Sequence, residues 1–277
     1  MITEWRLFEA GHCRHPELAV RRDGSLRPCS FPALAAALHH RDHGWLLLDT
    51  GYAGHFLTAT EPFPERLYRW TTPVHGAREQ ALAGQLAAAG IDPARIGHIV
   101  LSHLHGDHVA GVADFPGARV YIDDAAWEHL AGCNRVSATA NGYLPALLTD
   151  VPRRLALFSA LPLATAQPPE LAGFAPPRDL FGDGSVLLVP LPGHAPGHSG
   201  LWFADAEGPV FLIADATWSS DALERGVLPL GLVTAWLGDS AAYRDTFERL
   251  HRLRHAHPQV RLVPAHCTRW RPGAGHG

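Results

Sequence analysis

Residues 99–108 read IVLSHLHGDH. The apolar run that opens this stretch predicts a short buried strand over Ile99–Ser102. His103 and His105 are two positions apart, so in extended backbone both point to one side. Gly106 permits a sharp change of direction, and Asp107 and His108 then return two more side chains to the same place. Four ligand-type side chains within six residues are dense enough to hold parts of two metal sites. This differs from H-E-x-x-H, in which helical spacing aligns one pair for a single zinc. Taken singly, each has a plainer reading: a surface His-x-His, a core histidine at 108, a helix N-cap at Asp107. Together, directly after a buried strand, they point to metal binding.

The rest of the chain is compatible with an enzyme built around that cluster. Its 277 residues suit one large α/β domain or two small ones. A hydrophobic fraction of 47% is ordinary for a folded protein, and 50 Gly plus Pro residues stay below the level that signals disorder. Such a chain buries enough core to need no disulfide staples. The net charge of -4 predicts no broadly basic face, so nucleic acid is not an expected partner. Every cationic side chain is Arg; the absence of Lys removes Schiff-base chemistry and a P-loop lysine. Cys13, Cys29, Cys133 and Cys267 form no C-x-x-C pair, which argues against a thiolate zinc knuckle and fits free thiols in a reducing compartment. The start MITEWRLFEAGH has no basic segment followed by an apolar run, and no stretch is apolar for the length of a membrane crossing. The expectation is a cytoplasmic protein with no membrane partner. The 19 histidines are the unusual feature, since neutral imidazole is the commonest metal ligand among side chains.

Working outward, a first strand is expected over 3–9, and a hairpin over 33–40 and 45–49 with Arg41–Gly44 as its turn. The second of these strands ends in Asp49-Thr50-Gly51. The Ala-rich run 77–89 predicts a helix stopped by Gly90. Residues 107–113 could open another helix, and Asp123 or Asp124 could cap one over 125–131. Val120–Ile122 reads as a short strand. Residues 132–180 are rich in Pro, Ala and Leu with weak periodicity and read as an inserted helical or loop segment, either beside the site mouth or a packing excursion. Strands are expected at Ser185–Pro190, Leu201–Ala204, Val210–Ala214 and Val260–Val263, a helix over 240–255, and a disordered tail at 271–277. Asp49, His103, His194, Asp215 and His266 all fall just after strand ends, where loops meet in a crevice at a sheet edge.

The cluster HLHGDH matches the H-x-H-x-D-H signature of the metallo-β-lactamase superfamily, and four further stretches follow in the family's order: LLLDTG with Asp49, PGHAPGH with His194, FLIADAT with Asp215 and VPAH with His266. The chain therefore resembles that family over residues 1–270, read as a single domain. The resemblance implies an αββα sandwich, a four-layer α/β (α+β) fold. It also implies two divalent metal ions: His103, His105 and His194 on one, Asp107, His108 and His266 on the other, with Asp215 bridging. Imidazole and carboxylate ligands suit zinc, and also iron or manganese. Asp49 is expected to orient a ligand histidine or cap the loop, and His198 to support the loop or a ligand. His12, His15 and His98 are expected to be surface or structural, and Cys267 a packing residue.

Two metals in such a site share a hydroxide made from water and polarise a carbonyl or phosphoryl oxygen. By analogy with relatives, Asp107 would carry a proton to the leaving group. Ser199, in Gly197-His198-Ser199-Gly200, does not match G-x-S-x-G, so serine catalysis is a poor rival. The PGHAPGHSG and DAT motifs look most like the lactonase-type branch, whose members open acyl-homoserine lactones or related esters: small-molecule substrates. Those relatives often carry a Tyr shortly after the bridging Asp; here Trp218 stands in that run, as a pocket wall or as core. Tyr143 is a spare candidate for a substrate contact. Competing readings are a glyoxalase II-like thioesterase, whose basic patch would draw on Arg249, Arg252, Arg254, Arg261 and Arg269, an iron-dependent redox enzyme of the same fold, and a non-catalytic binding protein. The oligomeric state is open, and a homodimer is compatible with the sequence.

Overall fold

The computed structural model describes residues 1–270, so the tail at 271–277 lies outside the described residues. Among the described residues, twelve strands form two sheets. The first sheet contains β1 (Ile2–Pro16), β2 (Pro28–His40), β3 (Gly44–Leu48), β4 (Val74–His75), β5 (Ile96–Val100), β6 (Arg119–Ile122) and β7 (Leu155–Leu157), ordered β4-β1-β2-β3-β5-β6-β7. The second contains β8 (Arg178–Asp179), β9 (Val186–Pro190), β10 (Ser199–Asp205), β11 (Gly208–Ala214) and β12 (Arg261–Pro264), ordered β12-β11-β10-β9-β8.

Side-chain alternation explains the layering. Leu46 and Leu48 of β3, with Val100 of β5, pack with Leu188, Leu201, Phe203, Leu212 and Val263 of the other sheet, so the two sheets face each other. The odd partners, Leu47 and Ile99, point the opposite way into a core shared with Phe56, Leu82, Leu86 and Leu130 from helices Gly54–Ala59, Leu82–Ala88 and Asp124–Gly132. The outer face of the second sheet is covered by helix Ser240–Ala256, whose buried stripe Tyr243, Phe247, Leu250 and Leu253 repeats at helical spacing. Asp239 caps this helix by accepting from Ala241 N at 2.8 Å and Ala242 N at 3.1 Å. The result is a helix–sheet–sheet–helix sandwich, the αββα class expected. β3, β5, β6 and β7 run parallel, and β3, β5 and β6 send apolar side chains into the cores on both faces.

Several expected boundaries shift. The first strand extends well beyond 3–9, because β1 wraps alongside β2 through two register shifts. The expected helix over 77–89 begins only at Leu82: Ala81 is extended (φ -56°, ψ 134°), and the Gln85 amide takes the Gln80 carbonyl that a longer helix would need. Gly90 does end this segment at φ +80°. The expected helix at 107–113 is one turn, Gly106–Val109, followed by a 3-10 turn at Val112–Asp114. Residues 132–180 are more than an excursion: they supply β7 and β8, one edge of each sheet, and the helix Arg135–Ala140 beside the site. No helix among the described residues is long and apolar enough to cross a membrane.

Candidate metal centre

The loops leaving β3, β5, β9, β11 and β12 converge at one end of the sandwich. Asp49, at φ +59° just past β3, ties two of them together. Its backbone N–H donates to Val100 O (2.9 Å), and its carboxylate accepts from Ser102 N (2.8 Å), Ser102 Oγ (2.7 Å) and His108 Nδ1 (2.7 Å). It does not line the cavity; its carboxylate lies behind His108. His198 has a similar role. Its Nδ1–H donates to Leu191 O at 2.9 Å while its Nε2 accepts from Asp215 N at 3.1 Å, which aims the Asp215 backbone and leaves neither ring nitrogen free. Gly193, before His194, is held at φ +128° with no room for a side chain: a Cβ there would lie 2.1 Å from Tyr243 N.

Seven predicted ligand residues come together in two groups. His103 Nε2, His105 Nδ1 and His194 Nε2 form a triangle with edges of 3.0, 3.1 and 3.2 Å. A triangle of that size has a circumradius of about 1.8 Å, inside the 2.0–2.1 Å zinc–nitrogen distance, so one ion reaches all three from just outside their plane. A proton on one of these nitrogens serves only one edge; one cation serves all three. In the second group, His266 Nε2 lies 3.4 Å from Asp107 Oδ2, and His108 Nε2 lies 3.9 Å from the same oxygen. Asp215 stands between the groups, 3.2 Å from His194 Nε2, 3.1 Å from His266 Nε2 and 3.3 Å from His108 Nε2. The outer ring nitrogens explain which atoms point inward. His266 Nδ1 donates to Pro32 O (2.7 Å) and His108 Nδ1 to Asp49, so in the neutral rings both Nε2 atoms present lone pairs to carboxylate oxygens. Lone pairs facing carboxylates need a proton or a cation between them, and His108 Nε2 and Asp215 Oδ1 are buried without a hydrogen-bond partner. The donor set therefore fits a pair of divalent cations on chemical grounds.

Electrostatics separates the groups. Burial, reinforced by neighbouring histidines, pushes His103 well below the ordinary imidazole value. Burial also pushes His194 well below it and His105 down to about 4. These three are neutral near pH 7, the form that binds metal. At His108 burial acts the same way, but Asp49, Asp215 and Asp107 outweigh it and hold the ring's pKa well above the ordinary value. His266 is raised too, burial being outweighed by Asp215 and Asp107. Asp215 is buried, yet His266, His108 and His194 hold its carboxyl well below the usual range. In the second group the carboxylates hold protons on both rings, and a bound cation would displace them.

His105, Asp107, His194, Asp215 and His266 floor a cavity of about 420 Å³. Its walls are Phe31, Pro64, Leu67, Val136, Val233 and Trp236, with Cys13, Tyr52 and Tyr68 deeper; no arginine lines it among the described residues. Trp218 lines the cavity and also donates its indole N–H to Asp215 Oδ2 at 3.0 Å, so it is both wall and support. Tyr143 does not line it: the ring is buried behind His105, centroids 5.5 Å apart. His15, expected to be surface or structural, does line it. Tyr52 and Tyr68 were missed by sequence reasoning; the available signal was a Tyr three residues past Asp49 at the end of a buried strand. All four cysteines are free; burial pushes the Cys13 thiol up to about 12, so it is no nucleophile near neutrality. Cys267 packs against Ser220 (3.2 Å), away from the ligand role.

Residues 35–266 match the family model described as the metallo-beta-lactamase superfamily. The chain belongs to this superfamily. Among similar proteins, N-acyl homoserine lactonase AttM of Azorhizobium caulinodans is 28% identical over 177 residues, covering 64% of this chain and 59% of that one. A probable metallo-hydrolase of Mycobacterium tuberculosis is 30% identical over 165 residues, covering 57% and 48%. The chain thus spans about half to three fifths of the length of the curated relatives it matches. Among solved structures, an N-acyl homoserine lactone hydrolase with N-hexanoyl-L-homoserine bound at its catalytic metal centre superimposes with a TM-score of 0.72. It is 18% identical, over 97% of this chain and 95% of that one, a likeness of fold. Within this metallo-beta-lactamase frame, the five ordered motifs fall at the converging loops described above.

Proposed function

We propose that this chain is a metal-dependent hydrolase of uncharged esters or lactones that carry an apolar arm. The carrying observation is two three-residue ligand groups joined by Asp215 beneath an apolar cavity. His103, His105 and His194 would hold one ion, Asp107, His108 and His266 the other, and Asp215 both. All-imidazole and carboxylate ligands make zinc the first candidate. Bound ions would supply a hydroxide from water near neutral pH and polarise the scissile carbonyl.

The chain's own residues do the rest. Asp49 and the Pro32 carbonyl hold His108 and His266 in the tautomers that aim Nε2 inward. Asp107 lies in the cavity floor with its side chain 13% exposed, so it reaches both the ligand group and a leaving-group oxygen. Its proposed task is to pass a proton to the departing alkoxide. The walls favour a neutral substrate, since an anionic thiol carrier or a phosphodiester would find no arginine there. Four of the five arginines that a thioesterase patch would draw on are engaged with acids: Arg249 with Asp245, Arg254 and Arg269 with Glu224, Arg261 with Asp205 and Glu207.

The test pairs elemental analysis with turnover of lactone, ester, thioester and phosphodiester panels. The expected result is about two zinc per chain with lactone or ester turnover. A single iron with oxygen consumption on persulfide, and no hydrolysis, would put the redox reading first. An Asp107→Asn variant that kept its metals and its full turnover would remove the proton-transfer role.

A further inference from the structure

The floor of the cavity holds one polar group that the ligand set leaves unused. Tyr52 is 1% exposed, lines the cavity, and its hydroxyl has no hydrogen-bond partner. The polar side chain beside it is the Cys13 thiol, a weak partner at best. Buried hydroxyls are paired in the great majority of cases, so an orphan facing a binding cavity calls for a partner that arrives with the ligand.

The phenol is held rather than free to swing. Tyr52 N donates to Ala10 O at 2.8 Å, and Phe56 meets the ring edge-on with centroids 5.0 Å apart. Gly51, at φ +66°, brings the chain so close to β1 that a Cβ would lie 2.2 Å from Ala10 Cβ. Three other polar side chains of the wall are engaged already. The Trp218 N–H is given to Asp215, and Thr71 and Thr139 hydroxyls donate to carbonyls one helical turn back. Burial, with the Asp107 carboxylate nearby, keeps the phenol well above its ordinary pKa, so Tyr52 faces the cavity as a donor that keeps its proton.

On the hydrolase reading above, we infer that the Tyr52 hydroxyl donates a hydrogen bond to the acyl oxygen of the bound ester or lactone. As hydroxide adds to the carbonyl carbon, negative charge grows on that oxygen and the hydrogen bond strengthens. When the carbon–oxygen bond to the alcohol breaks, the carbonyl reforms and Tyr52 still holds its proton. Tyr52 is thus a substrate-touching residue that this chain offers where Trp218 cannot donate.

The test is Tyr52→Phe, measured for metal content, thermal stability, kcat and KM on the preferred ester, and affinity for hexanamide, a neutral carbonyl with an apolar arm. The expected result is unchanged metal content, a Tm that is unchanged or higher, and kcat lowered about 100-fold with KM moved far less. A kcat within about threefold of the parent would overturn the inference, as would a lowered Tm with lost metal, which marks a structural phenol. If the parent hydrolyses no ester or lactone, the hydrolase reading fails by itself, and hexanamide still decides Tyr52. A loss of about tenfold in its affinity on Y52F supports the contact, and equal affinities reject it.

Discussion

Replacing Asp49 with Asn keeps the side chain's shape and removes one acceptor, which makes it the sharpest probe of how the site is held. The carboxylate is 2% exposed and accepts from Ser102 N, Ser102 Oγ and His108 Nδ1 at 2.7–2.8 Å. If the amide oxygen stays with Ser102 N, the new N–H groups face His108 Nδ1–H, donor against donor. If the amide flips, the clash moves to the Ser102 backbone. Hydrogen bonds to a charged group are worth about 1.5–3 kcal/mol each, so one lost with a second weakened costs about 2–4 kcal/mol. For a chain of this size that lowers Tm by about 3–7 °C. His108 can relieve the clash by moving its proton to Nε2, but that consumes the lone pair aimed at Asp107 and Asp215. Elemental analysis should then show the bound metal falling from about two ions toward one, since partners behind a ligand are worth about 10–100-fold in metal affinity. An Asp49→Asn protein with parental Tm in scanning fluorimetry and parental metal content would refute this account of the hinge between β3 and β5.

Two further outcomes follow from the same geometry. Gly193→Ala places a methyl 2.1 Å from Tyr243 N and 2.3 Å from its Cα at φ +128°, so the His194 loop or the start of helix Ser240–Ala256 must move; the loss should exceed about 3 kcal/mol, and a variant with parental Tm would contradict it. In metal-free protein, His103, His105 and His194 have folded pKa values below the 6.5 of the unfolded chain, so their stability is full above about pH 6.5 and fades as pH falls toward about 4. The raised values at His108 and His266 act the other way and lose stability only as pH rises above 6.5, so they add no slope in that window. A shift of the size seen at His105 corresponds to about 3 kcal/mol, and a metal-free Tm that stayed flat between pH 6.5 and 4.5 would refute the neutral triad.

What could be read beforehand divides by range along the chain. HLHGDH carries four ligand-type side chains in one loop, so spacing alone exposes them, whereas Asp49, His194, Asp215 and His266 lie past strand ends and stand out through the resemblance to the family's ordered motifs. β7 and β8, three and two residues long, are too short for any periodic signal; pairing with β6 and β9 defines them, and pairing is a tertiary fact. Tyr143 was a reasonable substrate contact by composition, yet its backbone pairs with His105 and turns the ring behind that histidine. For Tyr52 the only local signal is its place just past Asp49; its position in the cavity depends on Gly51 closing against Ala10, far back along the chain on β1.

The division of ligands between the two sheets links the fold to the proposed chemistry. His103, His105, Asp107 and His108 follow β5 in the first sheet, whereas His194, Asp215 and His266 follow β9, β11 and β12 in the second. Neither three-residue group is complete on one sheet, since His194 must meet the His103 pair and His266 must meet Asp107 and His108. The spacing that brings these atoms within 3–4 Å is set by the layer between the sheets, where Leu46, Leu48 and Val100 meet Leu188, Leu212 and Val263. A close-packed aliphatic layer transmits a change of one methylene as a backbone shift rather than absorbing it. The same layer that drives folding by apolar burial therefore fixes the inter-group distance. The polar ring behind the ligands, Asp49, Ser102, His198 and the Pro32 carbonyl, then decides only which nitrogen of each imidazole faces inward.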